Sequence, residues 1–316
     1  MMLAHVDTLH WWRAPWALER FIADLIDAEA RLLRPGGPWP SHAEPARLAM
    51  TALDESGLGF DSLERLALAA ALSEALHLHR GGLAGTLITA ATLGGWVEAA
   101  AAGLERFSGL LTVRSSDSAG RRSAHSHPIA RLETETATWA AMLPGRLRVR
   151  SAVSSHHIHG VLFTLLLPAR LGLPVEDLRP LSPDGVLATS RPGDLVIGHP
   201  AFWNSLLGAM PSGWPPGIIG VTSGAPCPDA TVIRLGEAGL AGMLDIYGSS
   251  EVAGVGWRQH VAGEWSDGAG AYRLQACWRR DADERLSRDD GLLFSPPDRL
   301  HWDGGRFRIG SAAESP

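Results

Sequence analysis

Cys227 and Cys277 are the only cysteines, too few and too oddly spaced for a disulfide framework or a thiolate metal site, and they fit reduced thiols in a cytoplasm. The net charge is −6 and no long Lys/Arg run interrupts it, which removes the electrostatic footprint expected of a nucleic-acid partner. No stretch reaches the roughly 18 apolar residues needed to cross a bilayer, and Met1 to Trp16 lacks a basic segment followed by an apolar one, so neither a membrane partner nor an export signal is expected. What is there is ordinary globular composition, 45% hydrophobic and 20% charged over 316 residues, enough for one large domain or two modest ones.

The texture changes near residue 108. Before it the pattern is helical: Leu18, Phe21, Ile22, Leu25, Ile26, Leu32 and Leu33 recur at three-to-four spacing and predict one apolar face, which Arg34-Pro35-Gly36-Gly37-Pro38 ends. Leu63, Leu66, Leu68, Leu72 and Leu76 predict a second helix with Asp61 or Ser62 as its N-cap, and a third is expected from Thr92 to Ala102.

From Leu110 onward short apolar runs alternate with helix-length stretches. Leu110 to Val113, Leu147 to Val153, Asp194 to Ile197, Gly217 to Val221 and Met243 to Ile246 read as strands; Gly160 to Leu171, Ala201 to Met210 and Ala230 to Leu240 read as helices. That alternation predicts βαβ units and an α/β fold with a mostly parallel sheet and flanking helices, whose ligands sit at the carboxyl ends of the strands. After Glu251 the chain is more polar and Gly-rich, and smaller antiparallel β structure is expected.

Four strings stand in a fixed order at or beyond such strand ends: Ser115-Ser116-Asp117-Ser118-Ala119-Gly120-Arg121-Arg122, His156-His157-Ile158-His159-Gly160, Thr222-Ser223-Gly224-Ala225-Pro226 and Tyr247-Gly248-Ser249-Ser250-Glu251. Each alone is a Gly/Ser-rich turn of the kind that punctuates any α/β protein, and a histidine beside an apolar run is more often a core residue than a catalyst. Three histidines within four positions carry no further Cys, Asp or Glu at ligand spacing, which argues against zinc.

Together the strings resemble the motifs of the adenylate-forming (acyl/aryl-CoA synthetase, 4-coumarate–CoA ligase) superfamily over roughly Leu110 to Gly310. Ser154-Ser155-His156-His157-Ile158-His159-Gly160, Gly198-His199-Pro200-Ala201-Phe202-Trp203 and Ala225-Pro226-Cys227-Pro228-Asp229 look most like its bacterial 4-coumarate–CoA ligase-like branch. The resemblance implies ATP with Mg²⁺, a carboxylic acid activated as acyl-adenylate, and CoA or a pantetheine arm as acceptor. It implies a phosphate loop at Ser115, Ser116, Ser118, Gly120 and Arg121, and an adenine loop at Gly224, Ala225 and Pro226. Tyr247, Gly248 and Ser249 would complete the nucleotide site, with Tyr247 stacked on adenine and Asp298 on the ribose hydroxyls. His157 would flank the reacting carboxylate, Ser250 would meet the α-phosphate, and Glu251 would hold Mg²⁺, a hard carboxylate for a hard cation. The sequence departs from the family at Asp117, where glycine is usual, at Ala119, where threonine is usual, and at Ser311, where arginine is usual. The family's mobile lid is expected to be absent, so a separately supplied lid is a candidate partner.

Gly57-Leu58-Gly59-Phe60-Asp61-Ser62-Leu63-Glu64 resembles the modification turn of an acyl carrier protein and makes Ser62 a candidate for phosphopantetheine, although Asp-Ser before a Leu-rich helix is also a good N-cap. The expected division is therefore a helical, carrier-like segment over 1–108 and an adenylate-forming core over 109–316. Three readings stay open: a ligase for an aromatic, hydroxycinnamate-like or other acid; a non-catalytic relative that binds nucleotide or acyl ligand or regulates a partner; and a carrier-type module pantetheinylated at Ser62, with the remainder a docking or loading platform.

Overall fold

The computed structural model describes residues 10–35, 50–116, 122–209, 213–261, 270–281 and 283–310. The chain divides into two compact units, one of residues 1–144 with 154–173 and one of residues 145–153 with 174–316.

In the first unit, helix Pro15–Leu33 opens on a proline, whose missing N–H would have no partner in the first turn anyway. Leu18, Phe21, Ile22, Leu25 and Ile26 are buried along one face, as their spacing predicts. Leu32 and Leu33 do not continue it: the buried stripe stops at Ala30, and both leucines are exposed in the last turn. Helix Ser62–Ala75 begins with a reciprocal cap in which the Glu64 N–H donates to Asp61 Oδ1 at 2.8 Å and the Asp61 N–H donates to Glu64 Oε2 at 2.9 Å. Its buried stripe is Leu68, Leu72 and Ala75, three to four apart; Leu63 and Leu66, expected on the same face, are 76% and 50% exposed on the other side. The third helix runs Leu93–Arg106, with Thr92 accepting from the Gly95 N–H as its cap.

The same unit contains an antiparallel hairpin, β1 (Leu110–Ser116) and β2 (Arg122–Pro128), in register from Leu110 opposite Pro128 to Ser116 opposite Arg122. Helix Ile129–Met142 follows, and after a gap in sequence a helical run from Ile158 to Leu171 whose middle, Val161–Leu166, is π-helical. Pro168 lies at the start of the last segment; the wider turns before it suit a residue that has no N–H to give and whose ring crowds the carbonyl four residues back.

In the second unit, β3 (Arg148–Ser151), β4 (Val175–Asp177), β5 (Asp194–Gly198), β6 (Ile219–Thr222) and β7 (Gly242–Ser249) form a parallel set in the order β4-β3-β5-β6-β7. The antiparallel β structure expected after Glu251 is present, part of it continuing this sheet and part of it forming a small sheet of its own. β8 (Ala253–Val261) pairs antiparallel with β7, followed outward by β9 (Tyr272–Leu274), β14 (Arg306–Ile309) and β13 (Leu300–Asp303), to make nine strands. A three-stranded antiparallel sheet of β10 (Trp278–Arg280), β11 (Leu286–Arg288) and β12 (Leu293–Phe294) stands beside it in sequence. Helices Pro200–Gly208 and Asp229–Glu237 bury Trp203, Leu206, Val232 and Leu235 in one core with Val196 and Met243 of the sheet. A second core gathers Tyr247, Val255, Tyr272, Trp278 and Phe307. Arg150, fully buried on β3, is neutralised by Glu176 and satisfied by the Val186 carbonyl and the Ser190 hydroxyl, as a buried guanidinium must be.

Replacing the cap, Asp61→Ala, should lower stability by about 1 kcal/mol, read as an earlier urea midpoint; an unchanged midpoint would mean that the reciprocal cap contributes nothing.

Candidate functional site

The candidate residues fall in both units. In the first, strand pairing sets Ser115 opposite Ser123; the Ser115 hydroxyl lies 3.0 Å from Ser123 Oγ and 3.4 Å from His125 Nε2, and Ser123 Oγ lies 2.9 Å from the same ring nitrogen. Ser116 occupies the last rung of the hairpin. Ser118, Gly120 and Arg121 lie outside the described residues, as do Asp117 and Ala119.

His157 precedes the helical run Ile158–Leu171 with extended backbone, its ring centroid 4.0 Å from that of His156. Gly160 is obligatory here, because a Cβ would stand 1.9 Å from the Ser154 carbonyl oxygen. The preceding loop is tied down by Asp24 of helix Pro15–Leu33: both the N–H and the hydroxyl of buried Ser155 donate to Asp24 Oδ2 at 2.7 Å. His157 is itself hydrogen-bonded to the Arg114 backbone, one residue before Ser115, so the start of the phosphate-loop string and the histidine are neighbours. The Arg114 guanidinium donates to Glu29 at 2.9 Å and to Glu74. Helix Pro15–Leu33 thus anchors both, through Asp24 and Glu29. The surrounding protein desolvates the imidazole and lowers the His157 pKa although part of the ring is open to solvent; the Arg114 backbone and the Asp24 carboxylate pull the other way.

In the second unit the strings lie at the carboxyl ends of β6 and β7. The Ser223 hydroxyl donates to the Ile246 carbonyl of β7 at 3.0 Å, and Gly224, Ala225 and Pro226 are exposed beyond it. Tyr247 to Glu251 is the end of β7 and the tight turn into β8, with Ser249 already opposite Ala253. A Cβ on Gly248 would meet the Ala253 carbonyl oxygen at 2.3 Å, and the register shifts between Tyr247 and Gly248, so the glycine lets the turn close. The Ser249 hydroxyl is buried with no hydrogen-bond partner among the described residues, while Glu251 is exposed at the turn.

The structure joins Tyr247 to Asp298, 51 residues away: the phenol donates to Asp298 Oδ2 at 3.0 Å. Its pKa is raised by burial and by the Asp298 carboxylate, which keeps it a donor. The ring is only 8% exposed and contacts Tyr272 and Phe307 edge to face, at 6.0 and 5.4 Å. Stacking on adenine, the expected role, meets a ring already packed in a core. Cys227 is buried and its thiol is pushed up to about 12, chiefly by burial. Ser62 is exposed as the first residue of its capped helix. No group of three or more His, Cys, Asp or Glu among the described residues is placed to hold a metal ion unaided, and no described helix is long and apolar enough to cross a membrane.

Asp24, Ser155 and Arg114 were not singled out from the sequence. Ser155 stands inside the Ser154–Gly160 string but Asp24 is 131 residues away, and no local pattern marks the pair.

A mixed sheet with Gly/Ser turns at the carboxyl ends of its parallel strands is the architecture of a nucleotide-binding α/β protein. No family model matches the chain. The 4-coumarate–CoA ligase of Rhodobacter capsulatus is 37% identical over 302 residues, covering 91% of this chain and 73% of that protein. That of Cereibacter sphaeroides is 35% identical over 240 residues, covering 73% of this chain and 55%, about half, of that protein. The crystal structure of apo MatB from Rhodopseudomonas palustris matches with a TM-score of 0.57 at 14% identity, over 92% of this chain and 72% of that one, a likeness of fold. The chain belongs to the 4-coumarate–CoA ligase-like family of adenylate-forming proteins.

If Asp24 supports the charged form of His157, Asp24→Asn should move the His157 titration to still lower pH, followed by NMR of the ring proton; an unmoved or higher midpoint would contradict the contact. The folded-state pKa of His157 is depressed, so neutral imidazole favours the native state: its contribution is complete above the unfolded value of about 6.5 and is lost as pH falls below it.

Proposed function

We propose that this chain carries the nucleotide- and acid-binding core of an AMP-forming acid–thiol ligase acting on an aromatic, hydroxycinnamate-like acid. The observation that carries the reading is the Tyr247–Glu251 turn beside the exposed Gly224–Pro226 loop, at the strand where the sheet switches from parallel to antiparallel, in a chain 37% identical to a 4-coumarate–CoA ligase. The donor set suits a nucleotide: a buried hydroxyl without a partner at Ser249, an exposed carboxylate at Glu251, and Asp298 held by Tyr247.

In the reaction, a carboxylate oxygen of the acid bonds to the α-phosphorus of ATP and the bond to pyrophosphate breaks, leaving an acyl-adenylate. The sulfur of CoA or of a pantetheine arm then bonds to the acyl carbon and AMP departs. Positioning and charge neutralisation carry the first step. Ser249 and Ser250 hold the α-phosphate. Gly224, Ala225 and Pro226 line the adenine, and Asp298 accepts from the ribose. Tyr247 acts by fixing Asp298. His157, neutral at pH 7 because its pKa is lowered, donates or accepts one hydrogen bond at the acid's carboxyl group. Glu251 would hold Mg²⁺, which would offset the phosphate charge.

We read residues 1–108 as a helical part of the ligase and Ser62 as a helix-start residue, since the Rhodobacter capsulatus alignment covers 91% of the chain and leaves little of that segment outside it. Asp117, a carboxylate in the phosphate-loop string, favours a second reading in which the chain binds nucleotide without catalysis.

Calorimetric titration with ATP and Mg²⁺ tests the proposal. The unaltered chain should bind, and Glu251→Ala should lose the Mg²⁺-dependent part; equal affinity would remove Glu251 from the site. Failure of the unaltered chain to bind either ATP or AMP with 4-coumarate would overturn the nucleotide reading.

A further inference from the structure

Arg258, on β8, is used by none of the roles above, yet it is the most heavily engaged cation near the candidate nucleotide loop. It is 8% exposed and faces its register partner Asp245 across β7 and β8, donating from Nε to Asp245 Oδ2 at 2.9 Å. Its remaining donors leave the sheet. Nη2 donates to the Cys227 carbonyl at 2.7 Å, and Nη1 donates to Asp229 Oδ1 at 2.7 Å and to the Gly270 carbonyl at 3.3 Å. The guanidinium lies over the Tyr272 ring, 4.9 Å from its centroid, and the Tyr272 hydroxyl donates to the same Asp245 oxygen at 2.8 Å.

The Cys227 and Asp229 contacts fall immediately after Gly224-Ala225-Pro226. On the other side of those three residues, Ser223 is fastened to the Ile246 carbonyl of β7. The exposed loop is therefore held at both ends: at its start by a hydroxyl on β7, at its end by a guanidinium on β8 that is in turn seated on β7 through Asp245. A helix N-terminus at Asp229 would orient the end of the loop only weakly by itself, because it lacks a side-chain cap. A planar fork with several donors can engage a carbonyl and two carboxylates at once; an ammonium group cannot hold that geometry.

We propose that Arg258 is a positioning residue for nucleotide binding, fixing the Gly224–Pro226 loop against β7 so that its backbone meets the adenine without having to be ordered at the moment of binding. This rests on the nucleotide reading above. A loop released at its carboxyl end pays ordering entropy on binding, which weakens affinity for the adenine-bearing ligand and leaves contacts to the phosphates in place.

Two variants separate this role from general stability. Arg258→Lys keeps a cation opposite buried Asp245 but loses the fork to Cys227 and Asp229. Asp229→Asn leaves the Arg258–Asp245 pair untouched and weakens only the tie to the loop. Calorimetry with AMP, on protein shown to be folded by its melting transition, should give about tenfold weaker binding for Arg258→Lys and a smaller loss in the same direction for Asp229→Asn, with inorganic pyrophosphate affinity unchanged in both. AMP affinity equal to that of the unaltered chain in both variants would overturn the inference, as would parallel losses for AMP and pyrophosphate, which mark a general structural role. If Arg258→Lys does not fold, Asp229→Asn decides alone. Failure of the unaltered chain to bind AMP would overturn the nucleotide reading and this inference with it, an outcome distinguishable from equal binding by all three proteins.

Discussion

Strand β7 is bonded on one side to parallel β6 and on the other to antiparallel β8, and the candidate site in the second unit depends on that double pairing. The parallel side sets the ends of β6 and β7 level, so that the Ser223 hydroxyl reaches a β7 carbonyl and the Gly224–Pro226 loop leaves the sheet beside Tyr247. The antiparallel side forces the chain to reverse within a few residues, which presents Ser250 and Glu251 on a short turn. Gly248 is where the two requirements meet, since the reversal brings the β8 backbone too close for any side chain. A parallel strand continuing into a helix would have no such turn.

Charge is handled around this sheet almost entirely by guanidinium groups: all 28 cationic side chains of the chain are arginines. Each of the buried hubs, Arg150 on β3 and Arg258 on β8, divides its donors between carboxylate and backbone carbonyl oxygens, Arg150 adding a serine hydroxyl. Burying a cation costs several kcal/mol unless its donors are satisfied and its charge matched, and a multi-donor plane meets both conditions where a point charge meets one. In the first unit the same device works with carboxylates as anchors. Glu29 holds Arg114 and Asp24 holds Ser155, and both anchors come from one helix.

Much of the fold is legible in the sequence, because strands such as Asp194–Gly198 and Gly242–Ser249 are short, mainly apolar segments ending in Gly or Ser, and the helix starts at Asp61 and Thr92 carry side chains that cap. The rest escapes for physical reasons. β2, Arg-Ser-Ala-His-Ser-His-Pro, has no apolar alternation and is a strand only because β1 pairs with it. β4 is three residues long. Leu63 and Leu66 look like core by type, but the stripe of Leu68, Leu72 and Ala75 meets the neighbouring elements. At the site, the motif strings are local and readable, whereas their supports are not. Asp24 and Ser155 are brought together by tertiary packing, Arg258 and Asp245 by strand register, and the sequence marks neither pair. The Tyr247 ring is likewise marked by its motif, whereas its packing against Tyr272 and Phe307 and its hydrogen bond to Asp298 come from residues far along the chain that no local pattern links to it.

The central claim is that a nucleotide binds where β6 and β7 end. Hydrogen exchange of the full chain, followed by mass spectrometry with and without AMP, measures this directly. Slowed exchange on adding AMP in peptides spanning 223–229 and 247–251 is the result the account predicts. Saturating AMP that leaves both segments unchanged, or protects only segments elsewhere, would contradict it.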